Sequence, residues 1–180
     1  MKGLIFNQFE KFVNEKFESD YFEKILIDCK FNPADPFVGP GTYPFASLVK
    51  MLEFVVNDRS VELDDVLRDF GQHIFPKLYE VSRSFEVEFT DCKSFLHSVE
   101  EIIHVEVKKL YEGSELPKFL FKENCGGDLT ITYISEKGLC SFMEGLLQAS
   151  FKHFSQEVEI SQIKCTSKGD ENCQFLLKTK

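Results

Sequence analysis

The apolar residues of this chain change their period once along its length, and that change limits the fold more than any other feature. Phe6, Phe9, Phe12, Val13 and Phe17 recur at steps of three and four, as one buried helical face requires. The same spacing returns with Leu48, Met51, Leu52 and Val55, and with Leu63, Val66, Leu67 and Phe70. Beyond Gly71, which is expected to interrupt the pattern, it resumes at Ile74, Phe75, Leu78 and Tyr79. Four of the six prolines and two glycines fall between Asn32 and Pro44, which marks a loop. A long helix is expected from Asp91, its N-cap, to Tyr111, with Gly113 just past its end and Pro117 barring continuation.

After Pro117 the residues favour strands. Leu120–Lys122 and Leu129–Ile134 flank Asn124-Cys125-Gly126-Gly127-Asp128, and Thr130–Ile134 is β-branched and aromatic, so a hairpin is expected. Helical spacing returns at Leu139, Phe142, Met143, Leu146, Leu147, Phe151 and Phe154. Val158–Cys165 and Cys173–Lys178 then form a second strand pair around the polar turn Ser167–Asn172. Helices followed by antiparallel strands with an inserted helix make an α+β architecture with a sheet of about four strands.

The 180 residues, 43% of them hydrophobic, suffice for one domain with a full core, and no repeat or linker divides them. A net charge of −9 gives no positive field for nucleic acid or an anionic membrane surface. No apolar run is long enough to span a bilayer, and the first residues lack a leader's apolar stretch, so a cytoplasmic location is expected. Six cysteines are too sparse for a disulfide scaffold and are expected as thiols or metal ligands. Twenty Phe and five Tyr with no Trp suit either a well-filled core or a pocket for a large flat apolar guest.

Three constellations could carry chemistry. His104 lies in Ile102-Ile103-His104-Val105-Glu106-Val107, an apolar setting that fits an axial haem ligand or a core histidine bonded to a carbonyl. His97, seven residues earlier, is too far along the helix to share a metal with it. Strand alternation puts Tyr133, Ser135 and Lys137 on one side, two hydroxyls and an ammonium that suit carboxylates or simply face water. Cys140, Cys165 and Cys173 could converge on zinc or be small buried thiols. Gln162 is a poor fourth ligand. No phosphate loop, nucleophile elbow, HExxH or CxxC is present, so an enzyme is not expected. The acid pairs Glu100-Glu101 and Asp64-Asp65 read as solvated helix faces.

Taken in order, Met1-Lys2-Gly3-Leu4-Ile5-Phe6-Asn7, Phe70-Gly71-Gln72-His73-Ile74-Phe75, the run from Ile103 to Tyr111, Leu116-Pro117, the Tyr133/Ser135 strand, Gly145-Leu146-Leu147 and His153-Phe154 resemble the H-NOX family of haem-based nitric oxide and oxygen sensors. The resemblance implies one domain over residues 1–180, with a helical lobe at about 1–65 and an α/β lobe at about 66–180, and a haem b buried between them. It makes His104 the proximal iron ligand, Tyr133 and Ser135 two members of a Tyr-x-Ser-x-Arg propionate clamp, and Pro117 the residue that presses on the haem. Lys137 departs from the family arginine and loses its planar fork.

Oxygen-holding members carry a distal tyrosine where this chain has Phe142, and Ile5, Phe9, Ile74 and Leu146 match other pocket positions that are apolar here. The resemblance therefore implies a nitric oxide sensor that excludes oxygen and takes carbon monoxide more weakly. Signalling would follow from weakening of the bond to His104 and rotation of the lobes. The expected output, from a monomer, is to a histidine kinase or a cyclic-di-GMP enzyme in trans. Cys140, Cys165 and Cys173 also match a zinc site of some members, with Gln162 in the place of its histidine. Two rivals stand beside this reading. One is a vinyl-reductase-like binding module without haem, in which His104 is structural; the other is a cysteine-based redox or zinc sensor.

Overall fold

The computed structural model describes residues 1–35, 37–86, 88–110 and 115–179. The first half is helical: α1 (Gly3–Lys16), α2 (Tyr21–Asp28), α3 (Phe45–Arg59) and α4 (Leu63–Arg83). A continuous helical run follows, made of α5 (Cys92–Ser98), a π-helical turn (Val99–Ile103) and α6 (His104–Leu110). The second half holds β1 (Lys118–Glu123), β2 (Leu129–Ile134), α7 (Cys140–His153), β3 (Val158–Lys164) and β4 (Cys173–Thr179). The strands form one antiparallel sheet in the order β1-β2-β4-β3, which is the expected α+β arrangement. Tyr111 and Gly113, placed by the sequence at and just past the end of the long helix, lie outside the described residues.

One expectation is corrected. Gly71 does not interrupt a helix, because α4 runs unbroken from Leu63 to Arg83 through both Gly71 and Pro76. The glycine serves packing instead. A Cβ on Gly71 would stand 2.2 Å from the carbonyl oxygen of Phe142 on α7, and a Cβ on Gly145 of α7 would stand 2.0 Å from the carbonyl oxygen of Arg68 on α4. The two helices therefore cross backbone to backbone, an approach that only glycine permits. Polar links flank the crossing: Arg68 to Glu144 at 3.2 Å, Gln72 to Gln148 at 2.6 Å and Ser141 to Asp64 at 2.7 Å.

Two apolar clusters share α4. Phe6, Phe9, Phe12, Phe70 and Ile74 belong to the cluster formed with α1, α2 and α3, whereas Phe75, Phe95, Phe119, Ile131, Phe151 and Phe175 belong to the one under the sheet. Each fully buried Phe contributes about 1.5–3 kcal/mol of apolar burial. The start of α1 is pinned by the proline-rich loop: the Met1 amine donates to the Tyr43 carbonyl at 2.7 Å and the Gly3 amide to that of Gly41 at 2.9 Å. Any side chain at Gly3 would strike the Val38 carbonyl, 1.9 Å from the Cβ position. These contacts hold Ile5 and Phe9 in place.

Candidate functional site

His104 is the first residue of α6, directly after the π-helical turn, a feature common at functional sites. The run that presents it starts at a capping box. The Asp91 carboxylate accepts from the Ser94 amide at 2.8 Å, and the Ser94 hydroxyl oxygen accepts from the Asp91 amide at 3.2 Å. The imidazole is largely buried, with 13% of its side chain exposed, and stacks on the Phe119 ring at a centroid distance of 5.5 Å. Phe119 in turn lies 5.8 Å from the Tyr133 ring.

His104 Nδ1 sits 3.2 Å from a Glu100 carboxylate oxygen. Burial pulls the imidazole below its ordinary value of 6.5, and Glu100 pulls partly the other way. The ring is accordingly neutral at neutral pH. With Nδ1–H donating to the carboxylate, Nε2 keeps its lone pair, and it makes no hydrogen bond among the described residues.

On α7, Phe142 packs on Phe70 at 5.3 Å, and Phe70 on Phe9 at the same distance. Beside them is a cavity of about 40 Å³ lined by Met1, Ile5, Leu48, Leu67, Phe70, Leu139 and Phe142, none of which offers a polar side chain. Ile5 and Phe142 thus line one cavity, while Phe9, Ile74 and Leu146 pack in the surrounding apolar cluster.

Tyr133 is buried on the inner face of β2, and burial pushes its phenol above the usual range, with the Ser135 hydroxyl pulling partly the other way. The strand ends at Ile134, so Ser135 and Lys137 are placed by the turn that follows rather than by strand alternation. The Lys137 amide donates to the Ser135 hydroxyl at 3.2 Å, and its ammonium pairs with Glu115 at 2.8 Å. Pro117, half-buried, immediately precedes β1.

A buried neutral imidazole, an apolar wall and a hydroxyl–hydroxyl–ammonium trio are what a haem's iron, ring and propionates respectively require. The profile of the Haem-NO-binding family matches residues 2–162. This chain belongs to that family. Solved H-NOX structures agree over the whole chain. The S. oneidensis protein in its Fe(II)NO state is 27% identical with a TM-score of 0.92, covering 100% of this chain and 99% of that one. The unliganded Fe(II) protein of K. algicida is 28% identical with a TM-score of 0.85, covering 100% and 97%. An uncharacterised protein of Methanocaldococcus jannaschii is 24% identical over 95% of this chain and 79% of its own length. H-NOX domains are haem-based gas sensors, and no described helix is long and apolar enough to cross a membrane.

In this H-NOX chain the structure brings Cys140, Cys165 and Cys173 together, all buried, with their sulfurs within 4.8 Å of one another. The expectation that every cysteine is a thiol or a metal ligand is corrected here, because the fold brings Cys140 on α7 against Cys173 on β4 and the two are joined as a disulfide, while Cys165 keeps a free thiol beside the Ser167 hydroxyl at 2.8 Å. Gln162 lies on β3 opposite Phe175 of β4, its amide nitrogen buried without a partner. His97 stands apart, its ring tilted against that of Phe121 and 3.6 Å from Glu123.

The residue missed by sequence reasoning is Glu100. It is no solvated acid, for its carboxylate meets both His104 and the Phe119 amide. The available signal was its position four residues before His104, where helical side chains meet.

Proposed function

We propose that this chain is a cytoplasmic nitric oxide sensor that binds haem b between a helical lobe at about 1–65 and an α/β lobe at about 66–180. The observation that carries the reading is His104: buried, with Nδ1 3.2 Å from the Glu100 carboxylate, which leaves Nε2 as the lone-pair donor. When bound, haem would supply a ferrous iron able to take a diatomic ligand. His104 Nε2 would hold the iron while Glu100 keeps the imidazole oriented, Pro117 would lie against the ring, and Tyr133, Ser135 and Lys137 would take the propionates, Lys137 giving up Glu115 for one of them.

On the distal side Phe142 and Ile5, with Phe9, Ile74 and Leu146 behind them, offer no hydrogen-bond donor. Oxygen, whose complex is strongly charge-separated, gains most from such a donor and is disfavoured here. Nitric oxide needs none, and carbon monoxide binds more weakly. Solved relatives with Fe(II)NO and Fe(II)CO ligation support this choice of gases. The response is a population shift between lobe arrangements, passed by a monomer to a histidine kinase or a cyclic-di-GMP enzyme.

The visible spectrum of the reduced, haem-supplied protein tests this. A haem band that shifts with nitric oxide and carbon monoxide but gives no stable oxygen complex in air is expected, as is loss of haem from His104→Ala with rescue by imidazole. A stable oxygen complex would overturn the selectivity, and a colourless protein would favour a vinyl-reductase-like module.

The cysteine cluster supports a second, separate site. Three sulfurs this close suit zinc when reduced, whereas the Cys140–Cys173 disulfide excludes it. Metal analysis under reducing conditions should find stoichiometric zinc, more tightly held in Gln162→His, and finding none removes zinc from the site.

A further inference from the structure

One carboxylate oxygen, Glu100 Oε2, stands 3.2 Å from His104 Nδ1 and accepts from the Phe119 amide at 3.1 Å. Phe119 is the second residue of β1, which is an edge strand among the described residues, so one row of its amides finds no partner within the described sheet. Phe119 also stacks on the imidazole and pairs with Tyr133 on β2. Glu100 itself lies in the π-helical turn that interrupts the helical run just before His104.

We infer that Glu100 is a positioning residue that fastens the His104 imidazole to the backbone of β1, so that the ring's orientation and electron donation depend on the sheet, and a movement of the ring is passed to β1. This rests on the reading of His104 as haem ligand. A carboxylate on Nδ1–H makes the imidazole a stronger donor at Nε2 and fixes its tautomer. Because the same oxygen serves Phe119, tilting or withdrawing the imidazole alters the acceptor that the β1 amide relies on. The route runs from the imidazole to Glu100 to β1, and through the Phe119–Tyr133 pair to β2.

Glu100→Gln and Glu100→Ala test it, with Glu101→Gln, exposed and one residue along, as control. In the reduced haem protein the iron–histidine stretching frequency, read by resonance Raman, should fall in both Glu100 variants and stay unchanged in the control. Hydrogen exchange at the Phe119 amide should quicken by roughly tenfold to a hundredfold in Glu100→Ala, the range for losing a hydrogen bond to a charged acceptor. An unchanged frequency overturns the inference, because Glu100 is then only a strut for β1. An unchanged Phe119 exchange rate overturns it too, since the link to the sheet is then missing. If the wild-type protein takes up no haem, the proposed function fails on its own account. The link is then read from nitrogen NMR of the His104 ring, where loss of the Nδ1–H tautomer in Glu100→Ala supports it and an unchanged tautomer overturns it.

Discussion

Replacing Gly145 by alanine sets a methyl group 2.0 Å from the Arg68 carbonyl oxygen, and ordinary contact begins near 3.4 Å. The obstacle is helical backbone, which has no rotamer by which to retreat, so α4 and α7 must part by about 1.4 Å at the point where they cross. Parting loosens the contacts on both sides, including the Arg68–Glu144 pair and the packing of Phe70 on Phe142. Overpacking of this kind costs about 1–3 kcal/mol, while alanine returns up to about 1 kcal/mol of helix propensity. A net loss of about 1–2 kcal/mol should lower the melting temperature by roughly 2–8 °C in a domain of this size. Circular dichroism melts of Gly145→Ala beside Gly39→Ala provide the assay, because a Cβ at Gly39 meets nothing within 4 Å. Equal or higher stability of Gly145→Ala would refute the close crossing. In the haem-loaded protein the same variant should disturb the distal wall, since Phe142 rides on the displaced segment of α7.

In the haem-free protein, acid should weaken the fold through His104. Its folded-state value is depressed by burial, so its contribution is complete above the ordinary 6.5 and is lost as pH falls from there toward the depressed value. Urea midpoints should therefore drop over that window and drop less in His104→Leu; equal slopes would remove His104 as the cause. Asp91→Ala deletes the cap of the helical run that carries His104 and should cost about 1 kcal/mol in urea denaturation; no change would mean that the run does not depend on its first turn. Phe142→Tyr places a hydroxyl at the distal cavity and should yield a longer-lived oxygen complex in air, seen in the visible spectrum; an unaltered spectrum would show that the position does not reach the ligand.

Most of the framework was legible because it depends on local chemistry. The three- and four-residue spacing of Phe6, Phe9, Phe12 and Val13 lies on α1, all four buried. Asp91 caps its helix as expected, through a side chain that any solvent-facing helix start would favour. The two strand pairs follow from β-branched runs broken by glycine-containing turns. Gly71 was misread because a glycine that weakens an isolated helix looks the same in sequence as one kept for a neighbour's backbone; only the approach of α7 separates the two. Glu100 was misread for a similar reason. An acid beside another acid on a helix faces water unless the helix winds differently and a strand amide arrives from 19 residues away.

What the sequence determined by itself is therefore the set of elements, their order, and the ordered motifs that mark the family, since each depends on residues near one another in the chain. Tertiary structure decided what those residues do to each other. It set Phe142 and Ile5 around one cavity, gathered Cys140 on α7, Cys165 just past β3 and Cys173 on β4, gave the Lys137 ammonium to Glu115, and hung both His104 and Phe119 on Glu100. Hydrogen bonds, ion pairs and thiol clusters act over a few ångströms, and chain spacing does not specify which distant groups come that close.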